Sequence, residues 1–409
     1  MSKPPKKPNS AKKPAARPAK PAGKFPTVSK SAGKPAPAAP THRSAAPKPV
    51  PAGTLRVGLV TTLGNHDVVL QELTQRGLTT TSPAVQHLRG QTLVMATLPR
   101  EQWRKLFELR TVEDVFLILY DSLPMASATD LTRIEPGRLK RHLTAAAPFH
   151  PVDFRRRVDF AVFVKQDEDR QVYRKQIADI ITTTARTVYP TWHVKEPAQV
   201  EIWAFFAREK LTIGLRLTDI QHRQRTWRGQ ERPGSLRPTL AASLVALAAC
   251  RPDDVFLDPM CGSGTILIER AEWGPAAEMM AGDTDEAAVR LARQNAERAG
   301  LTVKAARISR WDATDPASFT GLTGRVDRIV CNLPFGVQHG NAEAMPALYT
   351  ALLRTWRPLL SGRGAMILLT SREADLRQAA AAAGLEIEIV HKLFIQGIWA
   401  DVFALEADE

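Results

Sequence analysis

The sequence predicts an α/β protein whose largest part is a mostly parallel sheet covered by helices on both faces. From residue 255 onward, short apolar runs alternate with amphipathic segments of helical length, which is typical of such a sheet. The first apolar run ends in a glycine-rich turn, and the last two runs are joined across Gln396 and Gly397. These features predict a ligand site at one end of the sheet and an antiparallel hairpin at its edge.

Two smaller α+β units are predicted before this sheet, beginning near Leu55. In the first unit we expect strands at residues 57–63, 93–98 and 115–120, and helices at residues 67–76 and 101–109. In the second unit we expect a strand at residues 158–164, a helix at residues 173–186, and a hairpin formed by residues 201–206 and 211–217.

In the larger part, a helix at residues 238–249 precedes the alternating pattern. The predicted strands are residues 255–257, 277–282, 303–308, 326–331 and 365–370, followed by the hairpin of residues 385–394 and 399–405. The predicted helices are residues 266–273, 286–299, 344–359 and 373–383.

Charge is distributed unevenly along the chain. Residues 1–53 contain ten lysines, two arginines, 13 of the 30 prolines and no acidic residue. Residues 54–240 contain 28 basic and 20 acidic side chains, whereas residues 241–409 contain 16 and 22. Because the prolines prevent a helix and apolar residues are few, we predict a disordered basic tail over residues 1–53 that either attracts polyanions or only aids solubility.

The sequence also argues against several classes of protein. It contains no run of 18 apolar residues and no apolar secretory leader, so we expect a cytoplasmic protein with no membrane span. Cys250, Cys261 and Cys331 form neither a C-x-x-C pair nor an even set, which argues against a structural zinc ion and a disulfide scaffold. We therefore expect no bound metal and a reducing compartment.

The first candidate site is the glycine turn at residues 258–265 (DPMCGSGT), which joins a predicted buried strand to a helix. Gly262 and Gly264 allow a ligand to approach the backbone, and free N–H groups at the helix start can bind a carboxylate or a phosphate. Asp283 ends the next strand, where its carboxylate can accept hydrogen bonds from both hydroxyls of a ribose. Together these residues predict a ligand that contains ribose.

Three neighbouring positions limit this interpretation or leave alternatives open. A nicotinamide fingerprint needs a third glycine where this chain has Leu267. Asp285 stands where a helix N-cap belongs. Asp312, which follows a third strand, can either accept a hydrogen bond from an adenine amine or stabilise a turn.

Residues 332–336 (NLPFG) directly follow a predicted strand and suit a planar aromatic amine. The amide oxygen of Asn332 and a backbone carbonyl held by Pro334 can accept both protons of an exocyclic NH₂ group. Delocalisation of the nitrogen lone pair into the ring is then reduced, so the nitrogen becomes a better nucleophile. Phe335 can stack on the base, a contact worth about 1–3 kcal/mol.

With these motifs the sequence resembles the class I S-adenosylmethionine-dependent methyltransferases. Among them it is most similar to the THUMP-containing RNA guanine-N2 methyltransferases that act on the tRNA acceptor stem, including position 6. The resemblance depends on residues 258–265, 281–285 (AGDTD), 332–336 and 232–240 (RPGSLRPTL), and it covers nearly everything from Leu55 onward. It implies a ferredoxin-like domain at residues 54–124, a THUMP-like RNA-binding domain at residues 125–218 and a Rossmann-like catalytic domain at residues 219–409.

The resemblance also implies which residues bind the cofactor S-adenosylmethionine. These residues are Asp258, Cys261, Gly262, Gly264, Asp283 and Asp312. The loop before the first helix of the catalytic domain would hold the methionine end, Asp283 the ribose and Asp312 the adenine.

The target guanine would be held by Asn332, Pro334 and Phe335 during a direct displacement that forms no covalent enzyme intermediate. Members of the family more often read NPPY or NPPF here, so Leu333 is a departure. Gln338 and His339 stand where relatives often carry basic residues. The implied partner is RNA, chiefly tRNA, bound mainly by residues 1–240 because the rest of the chain is net acidic, and we expect a monomer.

Other interpretations of the same motifs stay open at this point. Guanine in ribosomal RNA and adenine in DNA carry amines that an Asn-x-Pro-aromatic loop can also hold. An RNA-binding protein with an inactive methyltransferase fold and a nicotinamide oxidoreductase are further alternatives. A covalent mechanism through Cys261 or Cys331 is disfavoured, because that chemistry needs a cysteine in a different loop.

Overall fold

The structure, a computed structural model, describes residues 52–166, 173–229, 232, 234–302, 306–336 and 342–407. The predicted basic tail lies almost entirely outside the described residues, and Gln338 and His339 lie outside them as well.

The N-terminal half forms one eight-stranded sheet. Its strands are β1 (Thr54–Thr62), β2 (Thr81–Leu88), β3 (Gln91–Pro99), β4 (Asp114–Pro124), β5 (Val158–Gln166), β6 (Trp192–Val194), β7 (Val200–Ala207) and β8 (Lys210–Arg216). They are ordered β2-β3-β1-β4-β8-β7-β5-β6. The helices of this half are α1 (His66–Gln75), α2 (Pro136–Ala146) and α3 (Arg174–Val188), and a short helix α4 (Ile220–Gln224) follows them.

The predicted boundary between residues 54–124 and 125–218 falls at the end of β4. Strands from both sides of this boundary share the sheet, because β4 pairs antiparallel with β8. Backbone hydrogen bonds therefore join the two segments into one sheet. The ferredoxin-like and THUMP-like assignments stay predictions.

The C-terminal half forms a seven-stranded sheet. Its strands are β9 (Val255–Asp258), β10 (Glu278–Asp283), β11 (Arg307–Arg310), β12 (Val326–Asn332), β13 (Leu360–Thr370), β14 (Leu385–Ile395) and β15 (Ile398–Ala407). The order is β11-β10-β9-β12-β13-β15-β14; the first five strands are parallel, and β15 runs antiparallel to both its neighbours. The predicted parallel sheet with a terminal hairpin is thus confirmed.

Helices cover both faces of this second sheet, and each face has its own apolar core. The helices are α5 (Pro238–Leu247), α6 (Thr265–Trp273), α7 (Glu286–Arg298), α8 (Met345–Trp356) and α9 (Glu373–Ala383). Helices α5, α6 and α7 contribute to one core, whereas α8 and α9 contribute to the other. The strands between the cores are apolar on both faces, as expected for a buried parallel sheet.

The two halves of the molecule are joined by a buried ion cluster. Glu269 of α6 is fully buried and accepts hydrogen bonds from Arg110 Nε at 2.6 Å and from Arg225 Nε at 3.1 Å. Val68 of α1 packs into the core of the C-terminal half, and the Phe394 amide of β14 donates to the Leu63 carbonyl at 3.0 Å. A carboxylate can be buried here because two cations and their hydrogen bonds compensate its lost hydration.

Some local predictions differ from the structure in detail. The helix predicted at residues 101–109 is a 3₁₀ helix over residues 100–108, and only Leu106 among them is buried, so little packing favours a regular α-helix. Strand β11 is described from Arg307 to Arg310, and residues 303–305 of the predicted strand lie outside the described residues. Strand β2 and helix α2 were not predicted.

Candidate active site

The predicted site residues meet at one edge of the second sheet. Asp258, Asp283 and Asn332 are the last residues of β9, β10 and β12, and Thr370 is the last residue of β13. Because these strands are parallel and adjacent in the sheet, their carboxyl ends share an edge, which is where open α/β sheets bind ligands.

The glycine loop between β9 and α6 has two glycines with different roles. Both take left-handed backbone angles, with φ of +52° at Gly262 and +78° at Gly264. A Cβ atom on Gly262 would meet no atom within 4 Å, whereas one on Gly264 would lie 3.1 Å from the Ala292 Cβ of α7. Gly262 therefore borders open space at the sheet edge, and Gly264 permits the close packing of α6 on α7.

Asp283 orders the loop from the neighbouring strand. Its Oδ2 accepts a hydrogen bond from the Gly262 amide and its Oδ1 accepts one from the Asp285 amide, each at 3.0 Å. The side chain stays partly exposed, so its remaining lone pairs can reach a ligand. Asp285 is the N-cap of α7, where its Oδ1 accepts from the Ala287 amide at 2.8 Å, as predicted.

Asp258 lies beneath the loop, not on its surface. The side chain is fully buried, and neither of its oxygens has a hydrogen-bond partner among the described residues. Burial raises the pKa of Asp258 well above its usual range; the nearby Met260 amide opposes this and the Asp283 charge adds to it. In this structure the Asp258 carboxyl is therefore buried and without a hydrogen-bond partner among the described residues, and its direct contact with a cofactor stays a prediction.

The two cysteines near Asp258 are poorly suited to nucleophilic chemistry. Cys261 and Cys331 are both buried. Burial, followed by the negative charge of Asp258, raises the pKa of each thiol well above its ordinary value. Since the thiolate is the reactive form of cysteine, both side chains are held in their unreactive state.

Asp312 is exposed and stabilises a turn. Its Oδ1 accepts hydrogen bonds from the Thr314 amide at 2.8 Å and from the Thr314 hydroxyl at 2.7 Å. These bonds, the hydroxyl first, lower the pKa of the Asp312 carboxyl. The turn role that the sequence left open is thus present, and an adenine contact stays a prediction.

The loop that begins at Asn332 has a defined orientation. The Asn332 side-chain amide donates a weak hydrogen bond of 3.4 Å to the Gly234 carbonyl, which leaves Oδ1 available as an acceptor. The Pro334 carbonyl accepts a hydrogen bond of 2.8 Å from the Tyr349 hydroxyl. The carbonyl that precedes the proline ring, that of Leu333, is therefore the better candidate for a second acceptor. Phe335 is partly exposed and packs against the apolar core.

Sequence reasoning missed the role of the residues just before α5. Arg232 forms an ion pair of 2.5 Å with Asp285, and the Ser235 hydroxyl lies 3.4 Å from the Ser263 hydroxyl in the glycine loop. Together with the Gly234 contact, these bonds connect one segment to the N-cap of α7, to the glycine loop and to Asn332. Spacing gave no signal for this, because the partners are far apart in the chain.

Two negative findings apply to the described residues alone. Within the described ranges, no group of three His, Cys, Asp or Glu side chains is arranged to hold a metal ion. None of the helices found there is long and apolar enough to cross a membrane.

The strand order gives the C-terminal half the fold of the class I methyltransferases. Residues 225–401 match the model of the UPF0020 family, described as the RMKL-like methyltransferase domain. The crystal structure of TrmN from Thermus thermophilus has a TM-score of 0.69 and 27% identity, covering 87% of this chain and 100% of its own. A possible methylase from Clostridium difficile 630 has a TM-score of 0.66 at 19% identity, covering 87% of this chain and 99% of its own, which shows the fold alone.

Curated relatives match about half of this chain. The tRNA (guanine(6)-N2)-methyltransferase of Thermus thermophilus is 36% identical over 214 residues, which are 52% of this chain and 62% of the relative. The tRNA (guanine(6)-N(2))-methyltransferase THUMP3 of Bos taurus is 31% identical over 223 residues, which are 51% of this chain and 43% of the relative. These matches therefore span less than two thirds of the length of either relative.

Proposed function

We propose that this protein is an S-adenosylmethionine-dependent RNA methyltransferase that acts on the N2 amine of a guanine in the tRNA acceptor stem. The observation that carries this proposal is the position of the Asn332–Phe335 loop on the same sheet edge as Gly262 and Asp283. One end of this edge suits a ribose-containing cofactor, and the other suits an aromatic amine.

The residues of the edge fit the cofactor. Gly262 leaves open space against the loop backbone, and the partly exposed Asp283 carboxylate can accept from ribose hydroxyls. Asp312, at the next strand along the edge, is the proposed adenine contact. When bound, S-adenosylmethionine supplies an activated methyl group on a sulfonium ion.

The protein's own contribution is to hold the guanine amine and to raise its nucleophilicity. Asn332 Oδ1 and the Leu333 carbonyl each accept a hydrogen bond from the amine, so the nitrogen lone pair is less delocalised into the ring. Phe335 stacks on the base and keeps water away from it. Neither buried cysteine is needed for this direct displacement. Most of the rate acceleration then comes from proximity and orientation.

The choice of tRNA is supported by the charge distribution and by the relatives. Residues 54–240 carry eight more basic than acidic side chains, whereas residues 241–409 carry six more acidic than basic ones. RNA attraction is thus assigned to the N-terminal half and should weaken steeply with salt. A paired guanine in the acceptor stem must leave its stack to reach the loop, which costs a few kcal/mol.

The test is methylation of total tRNA and ribosomal RNA with tritiated S-adenosylmethionine, followed by nuclease digestion and identification of the labelled nucleoside. We expect label in N2-methylguanosine from tRNA, and mapping of the labelled fragment to the acceptor stem. Label in ribosomal RNA, or in N6-methyladenine from DNA offered in parallel, would replace the proposed substrate.

Calorimetry with S-adenosylmethionine distinguishes the proposed enzyme from an RNA-binding protein with an inactive methyltransferase fold. Heat of binding without any methyl transfer would leave the cofactor assignment intact and reject the substrate. The absence of binding heat, in a protein with a cooperative thermal transition, would favour an RNA-binding protein with an inactive methyltransferase fold.

A further inference from the structure

A buried chain of hydroxyl groups lies directly beneath the Asn332–Phe335 loop. Tyr349 of α8 and Thr370 at the end of β13 are both fully buried. The Tyr349 hydroxyl lies 2.8 Å from the Pro334 carbonyl oxygen and 2.8 Å from the Thr370 hydroxyl. The Thr370 hydroxyl in turn lies 3.1 Å from the Arg372 amide nitrogen.

The direction of every hydrogen bond in this chain follows from the groups themselves. A carbonyl oxygen can only accept, so the single proton of the Tyr349 hydroxyl is donated to Pro334. Thr370 must therefore donate its own proton to the Tyr349 oxygen. The Arg372 amide can only donate, and its acceptor is the Thr370 oxygen. The bonds thus run in one direction from Arg372 to the loop.

Burial keeps this chain in a single protonation state. It raises the pKa of the Tyr349 hydroxyl to about 12, so the group stays a donor at physiological pH. Hydrogen bonds in a buried environment are also stronger than in water and polarise one another along a chain. The Pro334 carbonyl is consequently held toward the protein interior.

Other contacts fix the loop on either side of this bond. The Leu333 amide donates to the Leu369 carbonyl of β13 at 3.0 Å. After the undescribed residues 337–341, the Arg372 guanidinium donates to the Ala342 carbonyl at 3.0 Å. The end of β13 therefore contacts the start of the loop, and the β13–α9 connection contacts Ala342 further along the chain.

Resting on the proposed function, we propose that Tyr349 is a positioning residue that decides which backbone carbonyl of the loop receives the target amine. The ring of Pro334 fixes φ at this residue, so the direction of the Pro334 carbonyl also sets that of the preceding Leu333 carbonyl, and successive carbonyls of extended backbone point to opposite sides. With the Pro334 carbonyl fixed inward by Tyr349, the Leu333 carbonyl is directed outward beside Asn332. Without the tyrosine hydroxyl, the loop loses the bond that sets this arrangement.

The test compares Tyr349→Phe, Thr370→Val and Thr370→Ser in the full-length protein. In Tyr349→Phe the single-turnover rate constant for methylation, at saturating RNA and cofactor, should fall about 10- to 100-fold, because the reacting groups are misplaced. The KM for RNA and the cofactor affinity should stay within about twofold of the wild-type values. Thr370→Val should lose less, because Tyr349 can still donate to Pro334. Thr370→Ser keeps the hydroxyl and should restore the rate.

Tyr120→Phe is the matched control. Tyr120 is equally buried and its hydroxyl also donates to a backbone carbonyl, that of Glu135 at 2.9 Å, but it lies in the N-terminal half. The Tyr120→Phe variant should lose about as much thermal stability as Tyr349→Phe, and its methylation rate should be unchanged. A normal rate in Tyr349→Phe, or a loss in Thr370→Val as large as in Tyr349→Phe, would overturn the proposal.

Hydrogen exchange of the cofactor-free protein keeps this test independent of the proposed substrate. In Tyr349→Phe we expect faster amide exchange in a peptide covering residues 329–336 and no change in one covering residues 255–265. Unchanged exchange at residues 329–336 would overturn the positioning role. If the wild-type protein methylates no RNA while this exchange difference is seen, the proposed function fails and the positioning role stands.

Discussion

Asn332 shows how one side chain acquires a chemical role from its neighbours. An amide carries a donor and an acceptor that can exchange places by rotation, and the Gly234 carbonyl at 3.4 Å accepts from the donor end. The acceptor end is thereby left without an intramolecular donor. Under the proposed function, a pair of carbonyl acceptors would favour the NH₂ group of a base over its carbonyl oxygens.

Replacing Asn332 by alanine should lower the rate of methyl transfer by at least about 100-fold, because a preorganised acceptor is lost. Cofactor affinity, measured by calorimetry, should stay within a few-fold of the wild-type value. Asp283→Ala should show the opposite pattern, since it removes the carboxylate that holds the Gly262 amide. An Asn332→Ala enzyme with undiminished turnover would contradict the assignment.

Replacing Cys261 and Cys331 together by alanine should preserve the methylation rate. Burial raises the pKa of both thiols, so neither supplies a thiolate near neutral pH. The measurement is the rate constant at saturating substrates, compared at temperatures well below the unfolding transition. Complete loss of activity in a folded double variant would require a covalent mechanism.

At the scale of single elements, glycine packing fixes the spacing of the strands and connections under the site. Gly282 in β10 faces the Trp311 ring, and the Trp311 indole N–H donates to the Pro259 carbonyl of the glycine loop at 2.9 Å. The ring therefore fits between two strand ends only because residue 282 has no side chain.

Gly282→Ala should destabilise the protein by about 1–3 kcal/mol, as overpacking of a dense core does. Its Cβ would lie 2.3 Å from the Trp311 Cε2 atom and 2.4 Å from the Ser309 carbonyl oxygen. Gly137→Ala is the control: it lies in α2 with no atom within 4 Å of the added Cβ and should stabilise the protein by about 0.5–1 kcal/mol. Urea unfolding of both variants checks the two signs.

The strands and helices around the site were predictable because their sequences combine a regular hydrophobic pattern with residues that mark where each element ends. Strands β9, β10 and β12 are short apolar runs that end in Asp258, Asp283 and Asn332. Gly264 marks the start of α6 after β9, and Asp285 caps α7 after β10. Strand β2 was missed since it is largely exposed and contains Pro83, so its pattern is that of a loop.

The supporting contacts of the site were not predictable from the sequence. Tyr349 belongs to an apolar helical pattern and is indistinguishable there from an ordinary core residue. Its partners, Pro334 and Thr370, lie 15 and 21 residues away in the chain. Only the packing of α8 beneath the sheet edge brings them together.

At the scale of the whole molecule, two histidines lie in a cavity of about 300 Å³ between the N-terminal half and the segment that follows β8. These are His150 and His222, and burial lowers the pKa of each to about 4. For His222 the positive charges of Arg225 and Arg110 add to the effect of burial. Both imidazoles are therefore neutral in the folded protein near pH 7.

Stability should decrease as the pH falls from about 6.5 toward 4. Above pH 6.5 both histidines are neutral in the folded and unfolded states. Below pH 6.5 the unfolded chain binds protons at these histidines and the folded chain does not, so the free energy of unfolding falls by about 1.4 kcal/mol for each unit of pKa difference. His222→Gln should reduce the fall in Tm between pH 7.5 and pH 5, measured by calorimetry. His193→Gln, at an exposed position, is the control and should leave the fall unchanged.

The burial of Glu269 beneath Arg110 and Arg225 restricts how this architecture can be recombined. The C-terminal half transplanted onto a different N-terminal module would retain Arg225 but lose Arg110, which comes from the N-terminal half. The buried Glu269 carboxylate would then keep one guanidinium partner and lose the other. A workable chimera must supply a guanidinium at that contact or exchange the glutamate for a neutral residue.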